Sequence, residues 1–127
     1  MAGFDHVLKS YDVRDQLDEI ASSDPPAYLR RCFAEGISTP ELSPSRIQQL
    51  CVCGMVLDSL LNDRDYDRLE PELIADWRAH YGGAFAPLRE NALAALRRAL
   101  EQMRNEDGLD PDAAAELLVL EQRLGSA

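Results

Sequence analysis

Prolines and glycines divide this sequence in a way that is typical of a helical protein. Six of the seven prolines stand where a helix can begin, at Pro25, Pro40, Pro44, Pro71, Pro87 and Pro111. Four of the seven glycines stand where a helix can end, at Gly36, Gly82, Gly108 and Gly125. Proline has no N–H to lose in a first helical turn, and glycine adopts left-handed dihedral angles without strain. The pattern predicts an all-α fold.

Apolar residues between these signals recur with the spacing of one helix face. They predict a compact bundle of five to six helices in a single domain, 1–127, with helices near 11–22, 25–36, 44–62, 71–82, 87–105 and 111–124. The segment Leu50–Leu57 has eight consecutive non-polar residues. A helix that is apolar on all sides is buried on all sides, so 44–62 is expected to be the central helix. Gly54 within it predicts the close approach of a neighbouring helix.

The three cysteines, Cys32, Cys51 and Cys53, are an odd number in a chain of 127 residues. A chain of this length buries enough surface to fold without disulfides, so we expect small buried thiols in a reducing compartment. The sequence shows neither an apolar leader nor a stretch long enough to span a membrane. We therefore expect a cytoplasmic protein.

The net charge of −10 is the second informative property of the sequence. A surface this acidic repels nucleic-acid phosphates and anionic lipids, so we expect neither nucleic acid nor a membrane as a partner. It favours a partner protein with a basic surface. Twelve of the thirteen cations are arginine, a bias that we attribute at this level to genomic base composition.

Two groups of residues have the spacing of metal ligands. Asp63, Asp65 and Asp67 alternate, which resembles the opening of a calcium-binding EF-hand loop. Arg68 and Ile74 occupy the positions at which that loop has glycine and glutamate, so we expect no metal there.

The second group lies at helical spacing, with Glu72, Asp76 and His80 on one polar face. Early acids and a late histidine also complement the helix dipole, which explains the order without a metal. No nucleophile has an evident base beside it, and no phosphate-binding loop is present. We therefore expect no metal, no cofactor and no enzymatic activity.

The expected function is that of a non-enzymatic, acidic protein-binding module. Its specific form is an inhibitor of a basic partner, in the manner of an immunity protein or antitoxin. The expected contact residues are the acids that gather around the connection after the central helix: Asp58, Asp63, Asp65, Asp67, Glu70, Glu72 and Asp76. The alternative is an accessory subunit or assembly chaperone of a helical multi-protein complex, in which the apolar central helix completes its burial against another chain.

Overall fold

The computed structural model describes residues 13–62, 69–105 and 111–125. These ranges contain six α-helices and no strand: α1 (Val13–Ala21), α2 (Pro25–Ser38), α3 (Pro44–Asn62), α4 (Pro71–Tyr81), α5 (Arg89–Asn105) and α6 (Pro111–Gly125). Two short 3-10 turns, Gly82–Ala84 and Ala86–Leu88, connect α4 to α5. The predicted all-α bundle is therefore confirmed.

Helix α3 is the centre of the bundle. Every residue from Leu50 to Leu60 is buried, which extends the predicted apolar run by three residues. The helices α1, α2, α4, α5 and α6 all pack against α3. Its bounds agree with the predicted 44–62. Ser43 caps its beginning, since Ser43 Oγ accepts a hydrogen bond from Arg46 N at 3.2 Å.

Gly54 lies where α6 crosses α3. A Cβ atom added to Gly54 would lie 2.7 Å from Leu120 Cδ2, a distance that the packed interior does not permit without a shift. Leu120 is itself fully buried, so it has little room to move away. The close helix approach predicted from this glycine is confirmed.

Gly36 has a different role from the predicted one. It does not end α2, which continues to Ser38, and it is buried. A Cβ atom at Gly36 would lie 2.8 Å from Leu50 Cδ2 and 3.2 Å from Ala95 Cβ. Gly36 is therefore needed for space between α2, α3 and α5. Of the glycines in the described ranges, Gly82 has a positive φ, 31°, and it ends α4 as predicted.

Most of the prolines mark helix starts as predicted. Helices begin at Pro25, Pro44, Pro71 and Pro111, while Pro87 lies in the 3-10 turn that precedes α5. Pro40 begins no helix, because side chains of α5 hold the backbone of this segment. Gln102 Oε1 accepts from Leu42 N at 2.7 Å, and Gln102 Nε2 donates to Leu42 O at 2.8 Å. Arg98 Nη2 donates to Pro40 O at 2.9 Å.

Three helices receive hydrogen bonds at their C-termini from an arginine of another helix. The last four carbonyls of a helix have no partner within it and form the negative end of its dipole, so a guanidinium there is favourable. The contacts are Arg98 Nη1 to Gly36 O of α2 (2.6 Å), Arg78 Nη2 to Ser59 O of α3 (2.7 Å), Arg78 Nε to Leu60 O of α3 (3.2 Å) and Arg89 Nε to Leu124 O of α6 (2.6 Å).

These contacts give the excess of arginine over lysine a structural role that composition alone did not reveal. The planar guanidinium presents several N–H groups in a fixed fork, so one side chain can serve two carbonyls. Arg78 and Arg98 each do so. Lysine has a single ammonium group and cannot reproduce that geometry.

We expect Arg98→Ala to lower the free energy of unfolding by about 2 kcal/mol, because two charge-assisted hydrogen bonds are lost. Arg97→Ala is the matched control, since it removes the same charge from the next residue. Arg97 bonds Glu121 but is 63% exposed, so its loss is expected to cost less than about 1 kcal/mol. Urea unfolding of both variants measures the difference. Equal losses would contradict the structural role of Arg98.

Candidate functional site

The predicted acidic surface is described in part, at the beginning of α4. Glu70, Glu72 and Asp76 are all exposed. Glu72 lies in the first turn of α4, where a carboxylate interacts favourably with the helix dipole. Asp76 Oδ1 lies 3.2 Å from Nδ1 of the exposed His80. The other predicted contacts of this region, Asp63, Asp65 and Asp67, lie outside the described residues.

Asp58 does not belong to this surface, which corrects the prediction. Its exposed fraction is 0%, and its Oδ1 accepts a hydrogen bond from Asn62 Nδ2 at 2.6 Å. The half-buried Asn62 also has its Nδ2 atom 3.4 Å from Arg123 O of α6, so this pair lies beside α6. The physical reason is that α3 is enclosed on all sides over this stretch. In the sequence, Asp58 directly follows the apolar run Leu50–Leu57, and this position is the one sign that it is buried.

Acids and arginines are distributed differently between surface and interior. Ten acids in the described ranges are exposed: Asp15, Asp18, Glu19, Asp24, Glu41, Glu70, Glu72, Asp76, Glu90 and Glu101. Three arginines are exposed: Arg30, Arg31 and Arg97. Five more are half-buried: Arg46, Arg78, Arg89, Arg98 and Arg123. Among the described residues, exposed acids thus outnumber exposed arginines by ten to three.

The cysteines are buried and free of disulfides, as predicted. The hydrogen bond with Cys32 and burial in the core raise the pKa of the Cys53 thiol well above its ordinary value. A thiol that stays neutral is a poor nucleophile. All three cysteines belong to the buried core, where α2 and α3 pack.

No group of three or more histidine, cysteine, aspartate or glutamate side chains in the described ranges is arranged to hold a metal ion. Of the face predicted from Glu72, Asp76 and His80, the structure shows contacts between Asp76 and His80. Besides the 3.2 Å contact with the Asp76 carboxylate, His80 Nδ1 lies 2.9 Å from Asp76 O. That backbone contact matches an ordinary interaction within the last turns of a helix.

A polar network connects α1, α2 and α3, and sequence reasoning missed it. The hydroxyl of Tyr28, a residue only 5% exposed, accepts hydrogen bonds from Gln16 Nε2 at 2.6 Å and Gln49 Nε2 at 3.2 Å. Arg46 Nη1 donates to Gln49 Oε1 at 2.8 Å and to Glu35 Oε2 at 2.7 Å. Burial raises the pKa of Tyr28 above its ordinary value.

This network borders a cavity of about 310 Å³ on one side of the bundle. Its lining residues come from α1, α2 and α3: Glu19, Tyr28, Arg31, Cys32, Glu35 and Gln49. A weak signal of the network exists in the sequence, because Gln16 shares a helical face with the apolar Leu17 and Ile20. Its partners are distant along the chain, so no local motif joins them.

Comparison with protein-family models, curated proteins and solved structures finds no match for this chain. Among the described residues, none of the helices combines the length and the hydropathy that crossing a membrane requires.

We expect Tyr28 to make stability sensitive to alkaline pH. Burial raises the pKa of Tyr28 in the folded protein above the ordinary 10.0, so the unfolded chain releases this proton first. The neutral Tyr28 side chain therefore stabilises the folded state fully below pH 10.0, and this stabilisation is lost as the pH rises through the higher pKa of the folded protein. Denaturant unfolding between about pH 9 and pH 11 should show a smaller loss in Tyr28→Phe than in the wild type. Tyr81→Phe, at an exposed position, is the control and should keep the wild-type loss. Identical profiles for all three proteins would contradict the assignment.

Proposed function

We propose that this protein is a non-enzymatic, acidic module that binds the basic surface of another protein, as an inhibitor of the immunity-protein or antitoxin type. The observation that carries the proposal is the partition of charge between surface and interior. Ten acids of the described ranges are exposed against three arginines, because other arginines bond carbonyls and polar side chains within the bundle.

Exposed carboxylates act on binding in two ways. They attract a basic partner over a distance and so raise the association rate, and they disfavour acidic competitors. A cationic active site is a surface that such a module can occupy and block. The same charge disfavours nucleic acid and anionic membranes, whose phosphates are repelled.

The proposed contact surface is the acidic beginning of α4, with Glu70, Glu72 and Asp76. Asp63, Asp65 and Asp67 precede it directly along the chain and are included in the proposal. Asp58 is excluded, because a buried carboxylate cannot reach a partner without unfolding of α3.

A role as an accessory subunit or assembly chaperone is the second candidate. Two features favoured it, the apolar central helix and the narrow apolar stripe of the last helix. The central helix is buried by the helices of this same chain, and Leu117, Leu120 and Leu124 of the stripe are fully buried as well. In the described ranges, the exposed large apolar residues are each only slightly more than a third exposed: Ile37, Tyr81, Leu118 and Val119. This surface gives less support to a permanent helical interface than to a charged, reversible one.

The test compares two triple charge reversals that change the net charge equally. E70K/E72K/D76K alters the proposed contact surface, and E41K/E90K/E101K alters exposed acids elsewhere. Both are used as bait, beside the wild type, to capture proteins from cells of the source organism. We expect a basic protein that the wild type and the control retain and that the first variant loses.

The captured protein is then purified, and its association rate with the wild type is measured against salt. We expect the rate to fall as salt rises, and the activity of the captured protein to fall when this module is added. Equal retention by both triple variants would contradict the proposed surface. Binding that leaves the activity of the partner unchanged would contradict the inhibitor form.

A further inference from the structure

We propose that the cavity between α1, α2 and α3 binds a small zwitterion of the amino-acid class, with its ammonium group at Glu19 and its carboxylate at Arg31. This inference goes beyond the proposed protein-binding function and uses none of its contact residues. It rests on the charges that line the cavity and on the hydrogen bonds that hold its polar wall.

Arg31 and its exposed neighbour Arg30 differ from the arginines that bond other elements of the bundle, and of these two Arg31 lines the cavity. Arg46, Arg78 and Arg98 each donate hydrogen bonds to other elements of the bundle. Arg31 makes no hydrogen bond or ion pair within the part of the chain that the structure describes. Its guanidinium carbon lies 5.5 Å from the centre of the Tyr28 ring, at the wall of the cavity.

The network explains why Arg31 has no carboxylate partner. Glu35 lies four residues further along α2, where a helix normally pairs opposite charges. Its Oε2 accepts instead from Arg46 Nη1 of α3 at 2.7 Å. The donors of Arg31 remain available to a carboxylate that enters the cavity.

Glu19 supplies the opposite charge from α1. It lines the same cavity and is exposed, and its carboxylate has no hydrogen bond or ion pair to the described residues. Two opposite charges thus border one cavity without neutralising each other. Their complement is a ligand that carries both an ammonium and a carboxylate group.

Part of the cavity wall is polar and held by hydrogen bonds. Arg46 donates a hydrogen bond to Gln49. Gln49 and Gln16 each donate a hydrogen bond to the Tyr28 hydroxyl. Side chains that are already ordered lose little entropy when a ligand binds. The volume of about 310 Å³ lies at the small end of ligand cavities. It suits a small amino acid with a polar side chain, so L-serine is the probe.

The test compares L-serine with two analogues that each lack one charge. Ethanolamine lacks the carboxylate, and glycerate has a hydroxyl in place of the ammonium group. Binding to the full-length protein is followed by amide chemical shifts in NMR titrations. We expect L-serine to bind more tightly than either analogue, with shifts concentrated around Glu19, Arg31 and Gln49.

Four variants locate the two charges. E19Q and R31Q should each weaken L-serine binding by about fivefold, as expected for partly exposed charge pairs. D18N and R30Q are matched controls, because they remove the same charges from exposed neighbours that do not line the cavity. Both controls should bind L-serine like the wild type.

Three outcomes would overturn the proposal. They are the absence of saturable L-serine binding, equal binding of L-serine and one analogue, and equal effects of R31Q and R30Q or of E19Q and D18N. No partner protein enters this experiment, and Glu70, Glu72 and Asp76 are unchanged in it. Failure here therefore leaves the proposed function untouched, and failure of the charge reversals at α4 leaves this proposal untouched.

Discussion

The burial of α3 on all its sides is the constraint on which the rest of the structure depends. A helix with no exposed side between Leu50 and Leu60 must be covered by every other helix of the bundle. Two glycines make this possible. The helices α2 and α6 approach α3 so closely at Gly36 and Gly54 that a larger residue would not fit at either position. The covering helices then end against their neighbours, and their terminal carbonyls need donors.

Arginine supplies those donors, and its use at helix ends affects the charge of the surface. A guanidinium keeps its charge when it is half-buried and can bond two carbonyls at once. Each arginine used in this way is half-buried, while most of the described glutamates and aspartates are exposed. Packing of the helix ends and acidity of the surface are therefore two consequences of one arrangement. It is this arrangement that favours a basic protein partner over nucleic acid or membrane.

The sequence predicted those features that depend on local chemistry. Helix starts at Pro25, Pro44 and Pro71 follow from the fixed φ angle and the missing N–H of proline, and the bounds of α3 followed from Pro44 and the apolar run. The errors concern positions decided by tertiary neighbours. Gly36 was expected to end α2, but its role is set by Leu50 and Ala95.

The candidate sites divide in the same way. Exposure of Glu70, Glu72 and Asp76 agrees with their polar surroundings in the sequence. The burial of Asp58 depends on the enclosure of α3, and its place directly after the apolar run is the one sign of it in the sequence. The network around Tyr28 joins residues on three helices, so no spacing within one segment could have predicted it.

The central claim is that half-buried arginines bond the helix ends within the bundle while most of the acids stay exposed. Modification of the native protein with phenylglyoxal, followed by mass spectrometry of the peptides, tests it at each arginine. Arg30, Arg31 and Arg97 are exposed and should react first. Arg78, Arg89 and Arg98 should stay protected until denaturant opens the bundle, because they bond the carbonyls at helix ends. Similar reaction rates at all six positions in the native protein would contradict the account.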